Sequence, residues 1–394
     1  MPGSVIVAGA RTPIGKLSGA LASFRAMELG GFAIAAALER GGIRPDQVDY
    51  VIMGHVLQAG QGQITARQAA VHAGIPMSVP ATTVNKVCLS GLNAIYLADQ
   101  MVSSGDADVV VAGGMESMTR APHLLPGARE GFRLGDATLV DSMMHDGLTC
   151  AFDECAMGLA TERYNQSTGI TRERQDAFAA ASHEKAAAAA KDGRLAEEIV
   201  PVQVPQRKGD PTVVDTDEGV RPGTTVESLA GLRPAFDKAG TITAGNASQI
   251  SDGAAAVVLV SRERAEALGV APLGELVSYG QVAGPDPSLL LQPSRAIARA
   301  LAKASLGVGD VDVFEINEAF AAVGLASADD LSIPDDALNV NGGAIALGHP
   351  IGMSGTRLAL TALYELRRRG GGVAAVGLCG GGGQGDAAVL RSIP

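Results

Sequence analysis

The sequence has no tryptophan, and aromatic residues make up only 3% of it. Its packing must therefore rest on Ala, Val, Leu and Ile. Cysteine is scarce too, with four in 394 residues and no Cys-x-x-Cys pair. That excludes a disulfide framework and a zinc site of that spacing. No HExxH, EF-hand or Walker A pattern occurs, so neither metal chemistry nor nucleoside triphosphate chemistry has a motif to rest on. No apolar run reaches the ~18 residues of a membrane span. The opening residues, Met1 to Arg11, lack the basic start and long apolar core of a secretory leader. The expectation is a cytoplasmic protein with reduced thiols. Positive charge is also short: the net charge is −11, which argues against nucleic acid as a partner. A local basic patch can still hold an anionic ligand.

Glycine, in contrast, is abundant, with 51 residues against a usual share of ~7%. Short Val/Ile-rich runs alternate with helical stretches. The runs are Val5 to Ala8, Tyr50 to Met53, Asp108 to Ala112, Ala255 to Val260, Val311 to Ile316, Val373 to Leu378 and Ala387 to Leu390. The helical stretches are Met27 to Arg40, Ser90 to Ser103, Thr171 to Lys191, Pro293 to Ser305 and Ser354 to Arg369. Alternation of this kind predicts an α/β protein with mostly parallel sheets. Thr171 reads as the N-cap of its helix. Two units repeat. Ser90 opens a helix leading to a strand that reaches Gly113, and Ser354 opens one leading to Gly377. Each pair is 23 residues apart (113 − 90 and 377 − 354). The chain then has two similar halves with facing sites, and the stretch from about Ser117 to Gly245 differs from both.

Three reactive side chains lie in glycine-rich settings: Cys88 before Ser90-Gly91, His349 after Gly348, and Cys379 before four glycines. Glycine lets a backbone pass close to a substrate and lets successive N–H groups converge. Cys88 at a helix start is placed where free N–H groups favour thiolate. An imidazole at His349 suits the proton of Cys88. Cys379 reads as a second thiol on an exposed strand end, with backbone N–H groups able to hold an oxyanion. Gly380, Gly382 and Gly385 satisfy GxGxxG, but only nine residues follow, too few for a dinucleotide fold. Asn317, at a strand end, is either a helix cap or a group that orients a water or carbonyl.

These residues, together with Gly9 to Gly15, Gly113 to Met118, Thr243 to Ser248 and Asn339 to Gly355, resemble the thiolases, and within them the acetyl-CoA acetyltransferases. The resemblance implies two similar βαβαβαββ domains in a layered α-β-α-β-α arrangement. It divides the chain into residues 1–118 completed by 245–268, an inserted loop domain over 119–244, and a second domain over 269–394. It implies a ping-pong condensation of two acetyl-CoA to acetoacetyl-CoA and CoA, reversible, with Cys88 as nucleophile, His349 as its base and Cys379 as the α-proton base. Asn317 would hold a water, and Gly381 would donate an oxyanion hydrogen bond. Arg221, Ser228 and Ser248 would contact coenzyme A, with Leu148, Met157, Phe236, Ala319 and Phe320 lining its tunnel. No metal or cofactor is implied, since the coenzyme A thioesters are substrates, and family members are dimers or tetramers. Two departures bear on substrate length: Ala156 stands where many short-chain thiolases have His, and the segment Leu289 to Pro293 lacks a Gly-Pro pair that many relatives have near there. The alternatives are a degradative 3-ketoacyl-CoA thiolase and, more distantly, an inactive acyl-CoA-binding protein.

Overall fold

The computed structural model describes residues 4–393; residues 1–3 and 394, at the outer ends of the two expected domains, lie outside the described residues. Nine strands follow one path through a single sheet, and a tenth short strand pairs at its side. The first half contributes β1 (Ser4–Arg11), β2 (Tyr50–Gly54), β3 (Ala81–Val84), β4 (Val109–Ser117) and β5 (Ser251–Ser261). The second contributes β6 (Gly274–Ala283), β7 (Val313–Ile316), β8 (Val373–Gly380) and β9 (Gln384–Ser392). Their order is β7-β8-β9-β6-β1-β5-β4-β2-β3.

The halves are two copies of one topology. In each, a parallel pair at the edge, β2 with β4 and β7 with β8, passes into antiparallel strands toward the middle. Leu338 even bridges β7 in parallel, as β3 pairs with β2. The two copies meet at one register pair, Ile6 opposite Gly274. The sheet is thus mixed, and the expectation of mostly parallel strands is corrected. The reason lies in the connections. A three-residue turn joins β8 to β9 and forces them antiparallel, and β5 returns from a long excursion to lie between β1 and β4.

Layering follows from period-two alternation. Val109 and Val111 point to a core shared with α1 (Ala26–Arg40) and α2 (Thr65–His72), while Val110 and Ala112 point to the opposite face. In the second half Ala387 and Val389 face α3 (Gln292–Ala304), while Ala388 and Leu390 face inward. The two inward faces enclose one core with α4 (Ser90–Ser104) and α5 (Ser354–Arg368), which touch each other. This is the α-β-α-β-α sandwich. Leu358, Leu360, Leu363 and Leu366 are wholly buried on α5, each contributing about 1.5–3 kcal/mol, so the middle layer is mostly aliphatic, with Tyr96 stacked on Tyr279 at 4.2 Å within it.

Helix α6 (Arg172–Lys191) does begin at Thr171, whose hydroxyl accepts from the Arg174 N–H at 3.4 Å. Between the halves, the carbonyl of Gly352 sits among three glycines of the first half. A Cβ at Gly114 would lie 1.9 Å from that oxygen, at Gly54 2.8 Å and at Gly91 2.9 Å. No side chain fits there. Buried Glu116 completes the seam, accepting from the N–H groups of Val56, Leu57 and Gly352 at 3.1–3.2 Å and contacting His55 Nε2 at 3.2 Å.

Candidate active site

Cys88 lies on the turn between β3 and α4. Val87 takes a left-handed conformation (φ 51°), which strains a β-branched residue and persists only where the surroundings fix it. Here they do. Lys86 N–H donates to Ser90 Oγ at 2.8 Å, Ser90 Oγ donates to the Val87 carbonyl at 2.6 Å, and Val87 N–H donates to Asn85 Oδ1 at 3.0 Å. The Lys86 ammonium reaches buried Asp386 on β9 at 2.7 Å, and Asp386 also accepts from Tyr279 at 2.7 Å. The turn that carries Cys88 is therefore tied to the second half by an ion pair.

A helix start is expected to favour thiolate, and here the structure corrects the sequence reading. Desolvation pushes the Cys88 thiol up to about 12; its own backbone N–H pulls the other way, and the charge of Glu116 adds to the rise. Burial outweighs the helix terminus. Cys379, near the end of β8, is 1% exposed, so the expected exposed strand end is also corrected. Burial raises its thiol pKa, and the nearby Cys88 adds to this. Both thiols rest protonated.

His349 follows Gly348, whose φ of 113° only glycine adopts freely. The imidazole Nδ1 meets Ser354 Oγ at 2.5 Å, and that hydroxyl donates onward to the Pro350 carbonyl at 2.9 Å. With its proton committed there, Ser354 must accept from Nδ1–H. The pattern leaves the Nε2 lone pair as an acceptor. Asn317 Nδ2 stands 3.4 Å from Nε2. Burial, with Arg357 nearby, brings the His349 pKa down to about 3, so the ring is a neutral acceptor. Asn317 Oδ1 is buried without a protein partner, which in a folded interior calls for a water or ligand.

Cys88, His349, Cys379 and Gly381 border one cavity of about 60 Å³, with Leu148, Met157, Ser248, Ala319 and Phe320 in its wall. Asn317 adjoins it through His349. A second cavity, of about 470 Å³, shares Leu148, Met157, Ser248 and Phe320 and adds Arg221, Phe236 and Ala156. Phe236 and Phe320 pack edge to face at 6.1 Å. The result is an apolar passage with a guanidinium beside it and two thiols at its end. Ser228 alone among the expected contacts lines neither cavity. It is exposed, and its hydroxyl donates to the Thr225 carbonyl at 2.7 Å as part of a helix cap.

The sequence reading missed Ser354 as the partner of His349, although it had marked Ser354 as a helix start. It also missed His55 with Glu116 and Lys86 with Asp386. A carboxylate inside an otherwise apolar strand, as at Glu116 and Asp386, was the available signal.

The sequence matches the family described as "Thiolase, N-terminal domain" over residues 4–263 and "Thiolase, C-terminal domain" over residues 270–392. A "Probable acetyl-CoA acetyltransferase" of Mycolicibacterium smegmatis is 59% identical over 387 residues, covering 98% of this chain and 100% of the relative. The "Acetyl-CoA acetyltransferase" of Cupriavidus necator is 54% identical, and that of Pseudomonas aeruginosa 53%, each over 98% of both chains. Among the described residues no helix is long and apolar enough to cross a membrane.

Proposed function

The chain belongs to the thiolase family, and from that premise we propose that it is an acetyl-CoA acetyltransferase working through an acetyl group on Cys88. Relatives at 50–59% identity over nearly their full length carry that name. The observation that carries the reading is the convergence of two thiols and a neutral imidazole at the end of one passage.

In the first half-reaction the Cys88 proton passes to His349 Nε2, and sulfur attacks the acetyl carbonyl carbon. The carbon–sulfur bond to coenzyme A breaks, and the leaving thiolate takes the proton back from His349. A thiol at about 12 and an imidazole at about 3 are each shifted as lone charges. When one proton moves between them the two charges appear together, and each offsets the burial of the other. Backbone N–H groups of Cys88 and Gly381 would hold the carbonyl oxygen as its charge develops.

In the second half-reaction Cys379, its proton first passed to the now neutral His349, takes an α-proton as thiolate from a new acetyl-CoA. The enolate carbon attacks the acetyl group on Cys88, the carbon–sulfur bond to Cys88 breaks, and the Cys88 thiolate recovers the proton from His349 as acetoacetyl-CoA leaves. The enolate oxygen would rest between His349 and a water held by the unpartnered Asn317 Oδ1. Arg221 and Ser248 would bind coenzyme A, with Phe236, Met157 and Leu148 along the pantetheine arm. A role for Ser228 there has only the family resemblance behind it. A cytoplasmic setting fits thiols that must stay reduced, and a homo-oligomer, dimer or tetramer, fits the family. No cofactor is called for.

Thiolysis of acetoacetyl-CoA and of longer 3-ketoacyl-CoAs tests the reading. Best kcat/KM is expected with acetoacetyl-CoA, falling sharply beyond one or two extra carbons. Higher kcat/KM with 3-ketodecanoyl-CoA would move the assignment to the degradative thiolases, and absence of any thiolysis would overturn it.

A further inference from the structure

Cys150 and Cys155 take no part in the chemistry above, yet the fold sets them face to face. Two short strands, Thr149–Cys150 and Cys155–Ala156, pair antiparallel, and the register places Cys150 directly opposite Cys155. Both are free thiols. Directly opposite residues of such a pair have Cα atoms about 4.5–5.5 Å apart, inside the roughly 4.4–6.8 Å that a disulfide spans. The turn between them is already fixed: Glu154 is left-handed (φ 49°), and the Asp153 N–H donates to Cys150 Sγ at 3.4 Å.

The two sulfurs are not alike. Cys150 is buried, at 2% exposure, whereas Cys155 is half-buried with the Arg163 guanidinium 3.6 Å from its sulfur. That cation faces the negative charge that develops on an attacking sulfur. The hairpin's position is equally specific. Leu148 lies just before it, Ala156 ends it and Met157 follows, and all three are in the passage wall. At its tip Phe152 lies against the glycine turn beyond Cys379, where a Cβ on Gly382 would come within 3.0 Å of the ring.

We propose that Cys150 and Cys155 are a reversible dithiol–disulfide site that sets how freely a coenzyme A thioester enters the passage. The oxidant is the disulfide of a low-molecular-weight thiol. Cys155 sulfur, having lost its proton to solvent, attacks one sulfur of that disulfide, and the other leaves as thiolate and is protonated. Cys150 sulfur, deprotonated in turn, then attacks Cys155 sulfur and expels the second small thiol. One disulfide is reduced to two thiols while two protein thiols become one disulfide. Closed this way, the hairpin fixes Leu148 and Met157 and removes the play that admits the pantetheine arm. The effect on entry rests on the proposed thiolase reading; the cross-link does not.

The whole protein is incubated with oxidised glutathione, alkylated and digested with trypsin. Cys150 and Cys155 share the peptide 134–163, while Cys88 and Cys379 fall in 87–120 and 370–391, so each site is read separately. The expected result is peptide 134–163 lighter by two hydrogen atoms, reversed by dithiothreitol. Cys150→Ser should stop at one glutathione on Cys155, and Cys155→Ser should leave Cys150 unmodified. In enzyme linked only in peptide 134–163, KM for acetoacetyl-CoA should rise roughly threefold with kcat unchanged. The Cys150→Ser/Cys155→Ser double variant, treated identically, should keep its KM. A peptide that retains both thiols, or a linked peptide with unaltered KM, overturns the proposal. Acetyl transfer to Cys88 from acetyl-CoA is scored on the separate peptide 87–120, so failure of the thiolase reading is distinguishable.

Discussion

The two halves of the sandwich share a backbone but not a set of side chains. Cys88 stands two residues before the first serine of α4, and the matching place before α5 is Gly352. His349 stands five residues before Ser354, and its counterpart before Ser90 is Asn85. Cys379 lies two residues beyond Gly377, where the first half has Met115 beyond Gly113. Wherever one half carries a reacting group, the other carries a residue without that chemistry. The repeat supplies two strand ends and two helix starts that face each other. Divergence has placed one thiol in one corner and a second thiol with an imidazole in the other. A duplicated framework thus yields a site in which no reactive side chain has its counterpart at the matching position.

Exchanging residues between the halves breaks that comparison most severely at the nucleophile. Cys88→Gly, which copies Gly352, should abolish the acetyl mass left by acetyl-CoA and lower turnover by about 10⁴-fold or more. Label persisting on Cys150 or Cys155 would show the wrong thiol was assigned. Cys379→Ser should cut turnover nearly as far while leaving acetylation of Cys88 intact. Exchange of the acetyl-CoA α-protons with solvent deuterium should be lost, because a hydroxyl is a far weaker base than a thiolate. His349→Asn, copying Asn85, should slow acetylation by about 10²–10⁴-fold, the range for a positioned proton-transfer group.

The same histidine sharpens the comparison through pH. Its pKa is about 3 in the folded chain, against an ordinary value of 6.5, so below 6.5 the unfolded chain takes up a proton that the folded one refuses. Stability is therefore lost as pH falls from 6.5 toward 3, by about 1.4 kcal/mol per pH unit from this group. His349→Asn should flatten that slope in urea titrations. The smallest effect lies outside the repeat. Ala156→His should narrow the substrate range, with acetoacetyl-CoA gaining over a six-carbon 3-ketoacyl-CoA by about 1–3 kcal/mol in kcat/KM. An unchanged ratio would remove residue 156 from the wall that measures chain length.

Much of this was legible because strong periodicity and local chemistry agreed. Helices α1, α4 and α5 follow apolar stripes, α6 is an alanine-rich run behind its Thr171 cap, and the 23-residue spacing predicts the repeat. Strand β6 escaped because Glu275, Ser278, Gly280 and Gln281 interrupt it. It is a strand because β1 and β9 flank it, a tertiary cause that no local window contains. The helices Met157–Thr168 and Ala321–Leu331 were missed for a similar reason. The first has few apolar residues, and the second is small-residue-rich and fits α3 by close packing. At the site, residue types announced the thiols and imidazole, but not their ionisation. The helix start beside Cys88 was visible, whereas the desolvation that defeats it depends on walls brought from both halves.

Strand β5 carries a consequence for how the molecule is made. It lies between β1 and β4, yet it begins 134 residues after β4 ends (251 − 117). As the chain leaves the ribosome, β2, β3 and β4 can pair while β1 waits beside a gap. Two apolar strand edges then stay open until the whole excursion has been synthesised. Long-range closure of this kind is slow, and its risk ends only when Ser251–Ser261 slides between them. The last strand to enter the first half is the one that turns it from a nascent edge into a closed layer.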